Sequence, residues 1–363
     1  MSATQQDAFE TPFRAAEAQL GASFATWFGC ALPDRFSSFD EEYRFAREAA
    51  ALVDKNYRAF VYFTGPDRER YLNAILTNDI RAAAAGRGVP SLLLNPQGHI
   101  LAELEVYSLG DRHLAVSHRM IRERLIETLD RYIIMDDVTL TDATDSLIAF
   151  GVEGPKSAEV LRAVGGGELE SLAELEHREE RVGGVPARII RRSPGGMPGF
   201  EIIAERSAAD AIWKTLLDAV RAVGGGPIGY STLNSLRLEA GVPLFGYDFD
   251  DSVIPHEARL ESTHISYSKG CYIGQEIVER VRSRGHVNRI RVGLEFSGAV
   301  IPERGAELQS DGKEIGHVTR AGFSPIANHP IAMGYVRREY ASIGSVVQCN
   351  RTDACVIELP LRK

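Results

Sequence analysis

The residues best suited to chemistry lie in one short run, Lys269-Gly270-Cys271-Tyr272-Ile273-Gly274-Gln275-Glu276. Apolar residues at Ile273, Ile277, Val278 and Val281 follow helical spacing and predict an amphipathic helix ending before Gly285. Cys271 then falls at the N-terminal edge of that helix, where the positive end of the dipole favours a thiolate. Lys269, close by in the chain, adds a cation that lowers the thiol pKa further. The plainer alternative for the same residues is a buried cysteine beside a tight glycine turn. Around the run, Lys269, Arg280, Arg282, Arg284, Arg289 and Arg291 face only Glu276 and Glu279. Such a cluster holds carboxylates or phosphates, arginine by its fork geometry, or else forms a solvated face with local ion pairs.

The remaining candidates are Glu103 and Glu105 on one strand, Glu201 on another, and Arg237 with Glu239. Strand alternation puts Glu103 and Glu105 on one face, away from Leu104 and Val106. Cys349 and Cys355 lack metal-chelate spacing and are read as structural. No dinucleotide fingerprint, phosphate loop, HExxH, GxSxG or paired CxxC occurs. The runs Gly165–Gly167 and Gly224–Gly226 follow helices and are read as turns.

The elements that must position these residues are legible from Arg58 onward. Arg58–Thr64 is strand-like, and Gly65-Pro66 starts a helix through Leu76. Ser91–Leu94 and His99–Tyr107 are strands joined by the turn Asn95-Pro96-Gln97-Gly98, and His113–Ser117 is a further strand. A helix from Met120 to Tyr132 and a strand Val138–Thr141 close the unit. The plan then recurs: strand Leu147–Val152, a helix opened by Gly154-Pro155, and a hairpin of Ala187–Arg192 with Phe200–Ala204. A helix over Ser207–Val223 follows, with Ser207 as N-cap and Asp210 completing a capping box. FTGPDRERYL (Phe63–Leu72) aligns with VEGPKSAEVL (Val152–Leu161) without a gap, so two related α+β units of ferredoxin-like character are expected. A helical stretch runs through Arg237 to Gly241. Beyond Val292, short alternating runs predict an antiparallel barrel or sandwich of about 70 residues.

Length allows two or three domains in 363 residues. A net charge of −9 argues against a dedicated nucleic-acid binder, although the arginine cluster leaves an RNA-binding reading to be tested. No run approaches the roughly 18 apolar residues a membrane helix needs, and Met1 to Glu10 shows no targeting pattern. Four scattered cysteines fit a reducing compartment. The expectation is a cytoplasmic protein.

KGCYIGQE, followed by Arg280 and Arg289, resembles the signature segment of the YgfZ family, relatives of the glycine-cleavage T-protein. Supporting segments are Leu76-Thr77-Asn78-Asp79, LLLNPQGHI (Leu92–Ile100), GVEGPKSAEVL (Gly151–Leu161), LRLEAGVPLFGYD (Leu236–Asp248) and SPIANHPIAMGYV (Ser324–Val336). The resemblance implies an α+β fold, a T-protein-like ring of three domains around a hole that binds tetrahydrofolate. Two interleaved α+β domains would occupy residues 1–290 and an antiparallel β-barrel residues 291–363. It carries over Glu201, in GFEI, as the pterin contact and Arg237 as a second folate contact, with Asn78, Tyr272 and Gln275 as further cofactor candidates. A glutamate accepts from pterin N–H groups and an arginine holds a carboxylate. Where T-proteins carry an Asp-Asp pair this chain has Ala102-Glu103, so Glu103 becomes the catalytic carboxylate, beside Cys271 and Lys269. No metal is implied. The cysteine motif favours a monomeric, tetrahydrofolate-binding helper of iron–sulfur enzymes, including tRNA-modifying ones. The alternative is a folate-dependent aminomethyltransferase.

Overall fold

The computed structural model describes residues 8–361; Met1 to Asp7, within the stretch read as lacking a targeting pattern, lie outside them. The fold is mixed α+β with a closed C-terminal β-barrel. The chain divides into two compact units whose segments alternate along the sequence. Unit 1 takes Met1–Glu69, Ala82–Val89 and Glu105–Leu233; unit 2 takes Arg70–Arg81, Pro90–Leu104 and Asn234–Lys363. Among the described residues no helix is long and apolar enough to cross a membrane.

The expected repeat is present as topology. One sheet runs Gly88–Leu94, Ile100–Ser108, His113–His118, Arg58–Thr64, Thr139–Asp142 in order of neighbours; a second runs His177–Val182, Val185–Arg191, Gly199–Glu205, Leu147–Glu153, Ala51–Asp54, Gly226–Pro227. In each, a strand leads through Gly-Pro into a helix (Arg68–Ile75, Ser157–Ala163) and pairs with the strand preceding the next helix. The turn explains the shared glycine. Gly65 has φ +97° and Gly154 φ +123°, and a Cβ would stand 2.2 Å from the Asp137 carbonyl oxygen in the first and 2.6 Å from that of Ala49 in the second. Only glycine tolerates both the backbone sign and the close approach.

Ala51–Asp54 was not visible as a strand. It is a short, wholly buried run without alternation, which periodicity alone does not resolve. It precedes the first repeat in sequence yet supplies a neighbour to Leu147–Glu153, with Phe150 opposite Asp54 and Val152 opposite Leu52. The second sheet buries its core against the helix Ala209–Ala222, whose Ile212, Trp213, Leu216 and Val220 face inward. Phe13 lies between Phe150 and Trp213, with ring centroids 4.8 and 5.3 Å away. The capping box expected at Ser207 does not form. The Arg206 amide donates to the Ser146 carbonyl at 2.8 Å, the chain makes a 3₁₀ turn over Arg206–Ala208, and the helix starts at Ala209 without a side-chain cap.

The barrel closes in the order Arg289–Phe296, His329–Arg337, Lys313–Ser324, Glu307–Ser310, Val346–Cys349, Thr352–Ile357, every pairing antiparallel. Its interior is filled by Leu294, Phe296, Leu308, Val318, Val336 and Val356. Closure leaves no free sheet edge.

One buried acid in unit 1 couples folding to pH. Glu17 is fully buried, and burial first, then the neighbouring Asp54 carboxylate, push its carboxyl up from 4.5 to about 10. A folded pKa above the unfolded one gives stability that is complete below pH 4.5 and is lost as pH rises towards 10. Within that window each pH unit costs at most about 1.4 kcal/mol. Urea midpoints are therefore expected to fall between pH 5 and pH 8, and Glu17→Gln to flatten that fall. An unchanged slope in the variant would show that Glu17 is not its source.

Candidate active site

The segment that carried most sequence signal sits in unit 2. Its helix spans Gln275–Arg284, capped by Gly274 at φ +81° and closed at Gly285. A Cβ on Gly274 would lie 2.6 Å from the Asn95 carbonyl oxygen, which explains the glycine. Cys271 is exposed, so the buried-cysteine reading is excluded. It also lies upstream of the N-cap Gly274 rather than on the first turn. Lys269 is committed elsewhere. Its ammonium donates to the carbonyls of Asn73 (2.6 Å), Leu76 and Asn78 (3.0 Å), closing the end of the helix Arg68–Ile75, and it lies 5.1 Å from the centre of the Tyr272 ring. Three acceptors match the three N–H bonds of an ammonium. Burial lowers its pKa to about 8. Tyr272 is buried with its hydroxyl lacking a hydrogen-bond partner among the described residues, and Gln275 opens the helix.

The surrounding arginines make local pairs. Arg280 bonds Glu276 at 3.1 Å, Arg282 bonds Glu279 at 3.5 Å and covers the Tyr267 ring, and Arg289 pairs with Glu257 at 3.1 Å. Arg291 is buried against the Ala258 carbonyl. The Arg284 side chain lies outside the described residues.

Glu103 faces a partner that no sequence pattern announced. His264, on the short helix Glu261–His264, places Nε2 3.2 Å from Glu103 Oε1, while its Nδ1 lies 2.7 Å from Thr263 Oγ1. Asn78 holds the neighbouring backbone, donating from its side-chain amide to the carbonyls of Pro90 (2.8 Å) and Thr263 (3.1 Å). Thr77 donates to the His264 carbonyl at 2.7 Å. Arg237, fully buried, does not present its guanidinium to solvent. It holds the carboxylate of Asp248 and the amide oxygen of Asn234. The carboxylate expected from a ligand is here supplied by the chain.

In unit 1, Glu201 is 1% exposed and sits in a buried charge network. Its Oε2 is 2.9 Å from Arg58 Nη2 and 3.6 Å from Lys55 Nζ, and Lys55 also pairs with Glu153 at 3.1 Å. Glu105 is buried too, bonded by Arg192 at 2.8 Å and by the Tyr107 hydroxyl at 2.8 Å. Glu201 Oε1 is buried with no hydrogen-bond partner among the described residues. Lys55, Arg58, Glu153 and His264 escaped the sequence reading. Lys55 and Arg58 stand between the apolar stretches Ala51–Val53 and Ala59–Phe63, and charged residues so flanked are the signal that was available.

The chain matches the profile of the GCVT N-terminal domain over residues 13–266 and that of the glycine cleavage T-protein C-terminal barrel domain over residues 289–361. It belongs to the glycine-cleavage T-protein family. Among its relatives, proteins named aminomethyltransferase from Streptomyces avermitilis and Herpetosiphon aurantiacus are each 30% identical, covering 92% and 97% of this chain and 91% and 95% of their own. The crystal structure of the glycine cleavage system aminomethyltransferase T from Bartonella henselae superposes with a TM-score of 0.89 at 25% identity, covering 98% of both chains.

Proposed function

We propose that this protein is a tetrahydrofolate-dependent one-carbon transferase of the aminomethyltransferase type. The observation that carries the reading is Glu201: a fully buried carboxylate, held on one oxygen by Arg58 and Lys55, with its other oxygen unsatisfied among the described residues. Buried polar atoms are rarely left without a partner, and an acceptor in this state suits the amino and ring N–H groups of a pterin. Bound there, tetrahydrofolate would supply the amine that accepts the one-carbon unit. By resemblance, Glu103, only partly buried, is the carboxylate that would serve as the acid–base group of the transfer. Full-length relatives named aminomethyltransferase support this reading over the iron–sulfur role.

A second reading, a folate-binding helper of iron–sulfur enzymes in the cytoplasm, rests on KGCYIGQE and on Cys271, whose thiol is the only one classed as exposed among the described residues. The test has two arms. Tetrahydrofolate binding by calorimetry is expected to weaken about 100-fold in Glu201→Gln, the scale of one or two hydrogen bonds to a charged group. Aconitase activity in a deletion strain is expected to be unaffected; a fall rescued by wild type but not by Cys271→Ala would replace the transferase reading with the second one.

A further inference from the structure

Four buried polar atoms that lack a hydrogen-bond partner among the described residues belong to one cluster within unit 1: Lys55 Nζ, Arg58 Nε, Glu153 Oε1 and Glu201 Oε1. The sheet brings them together. Glu201 lies opposite Gly151 in the antiparallel ladder, and Glu153, two residues on from Gly151, projects from the same face. Lys55 follows the strand Ala51–Asp54 on the other side and crosses Gly151, where a Cβ would stand 2.5 Å from Lys55 Cε and 3.0 Å from Nζ. The missing side chain at Gly151 is what gives the ammonium its place. It lies 3.1 Å from Glu153 Oε1 and 3.6 Å from Glu201 Oε2. Neither contact is a hydrogen bond, the first by misalignment and the second by distance.

The remaining oxygens of the two carboxylates are spoken for. Glu153 Oε2 accepts from the Ser193 hydroxyl at 2.7 Å and from the Gly195 amide at 3.3 Å, and Glu201 Oε2 accepts from Arg58. An acceptor, Glu201 Oε1, and a donor, the Lys55 ammonium, are thus left beside each other. The charges around them balance: Lys55, Arg58 and Arg192 stand against Glu105, Glu153 and Glu201, with Arg192 also reaching the exposed Glu174. Burial works against the ammonium, but Glu153 and then Glu201 outweigh it, and its pKa stands above the ordinary lysine value. Lys55 is therefore a donor and never an acceptor. Because an uncompensated buried charge is costly, the cluster suits a neutral ligand that presents N–H groups and a carbonyl oxygen on one edge. The 2-amino-4-oxo pyrimidine ring of a pterin has such an edge. A 2,4-diamino ring does not: it carries a donor at the second position and readily takes a proton.

We propose that Lys55 is a specificity-determining residue of the folate site, donating to the 4-oxo group of a pterin whose N–H groups are taken by Glu201, and so selecting 4-oxo over 4-amino rings. The inference rests on the folate reading of Glu201. Glu153, anchored by Ser193 and Gly195, positions the ammonium. A carboxylate acting alone has the opposite preference, because it pairs best with the protonated diamino ring.

The experiment titrates the full-length protein calorimetrically, without oxygen, with tetrahydrofolate and with its 4-amino-4-deoxy analogue. Wild type is expected to bind tetrahydrofolate at least about tenfold more tightly, the lower end of what one hydrogen bond to a charged group contributes. Lys55→Met alone strands two buried carboxylates, so the variant of choice is Lys55→Met with Glu153→Gln, which removes one charge of each sign. It is expected to bind tetrahydrofolate about 10- to 100-fold more weakly and the analogue equally well or better. Loss of overall packing would weaken both ligands together, and a preference for tetrahydrofolate that survives in the variant overturns the proposal. The wild-type comparison decides even if the variant does not fold: an analogue that binds as tightly as tetrahydrofolate, or more tightly, removes the role of Lys55 while leaving the folate reading in place. If neither ligand binds wild type, it is the folate reading of Glu201 that fails, and the proposal with it.

Discussion

Replacing Arg237 with methionine is expected to cost about 3–5 kcal/mol, the usual penalty for removing one partner of a buried ion pair. Arg237 and Asp248 both have fully buried side chains, and Asp248 also takes the Thr319 hydroxyl at 2.6 Å and the Leu244 amide at 2.9 Å. Without the guanidinium, Asp248 keeps its neutral donors but loses the opposite charge. Burial already works against the cation, and its pKa lies below the ordinary arginine value because of that desolvation, with Asp248 opposing. Adding Asp248→Asn to the Arg237→Met variant is expected to restore part of the loss in urea unfolding, because the stranded charge is then gone. The same variant decides the role of the residue: if folate affinity falls while stability stays, Arg237 holds the ligand rather than the loop that carries Asp248.

The second large effect concerns Glu103. Glu103→Gln keeps size and hydrogen-bonding reach but cannot take a proton, so methylene transfer is expected to fall between about a hundredfold and ten-thousandfold. Tetrahydrofolate affinity should remain within twofold, since the lost interaction belongs to the transition state. Cys271→Ala should leave transfer unchanged. Retained transfer in Glu103→Gln with loss in Cys271→Ala would move the chemistry to the exposed thiol.

How much of this was legible in the sequence follows the range of the interactions. Arg58–Thr64 and Leu147–Glu153, with the glycines that turn each into a helix, were read from local pattern because neighbouring residues specify them. The helix after Gly274 was read for the same reason. The site was less accessible. Glu103 was visible as a carboxylate on a strand, but its contact with His264 spans 161 positions and leaves no periodic trace. Lys269 was read against Cys271 because they are close in the chain; in the fold, carbonyls at the end of a distant helix compete for its ammonium and win. Arg237 was read as a folate contact from its motif, which does not reveal that the chain itself provides an anion for it in Asp248.

The position of Ala51–Asp54 also fixes an order of events on the ribosome. This strand leaves the exit tunnel early, yet its neighbour Leu147–Glu153 emerges only after the whole first repeat has been made, and Gly226–Pro227 joins later still. During synthesis Ala51–Asp54 therefore waits for its sheet partners until the first repeat has been made. For the same reason, a fragment beginning at Asp145 would start life with an unpaired edge on its central strand and is a poor candidate for expression alone.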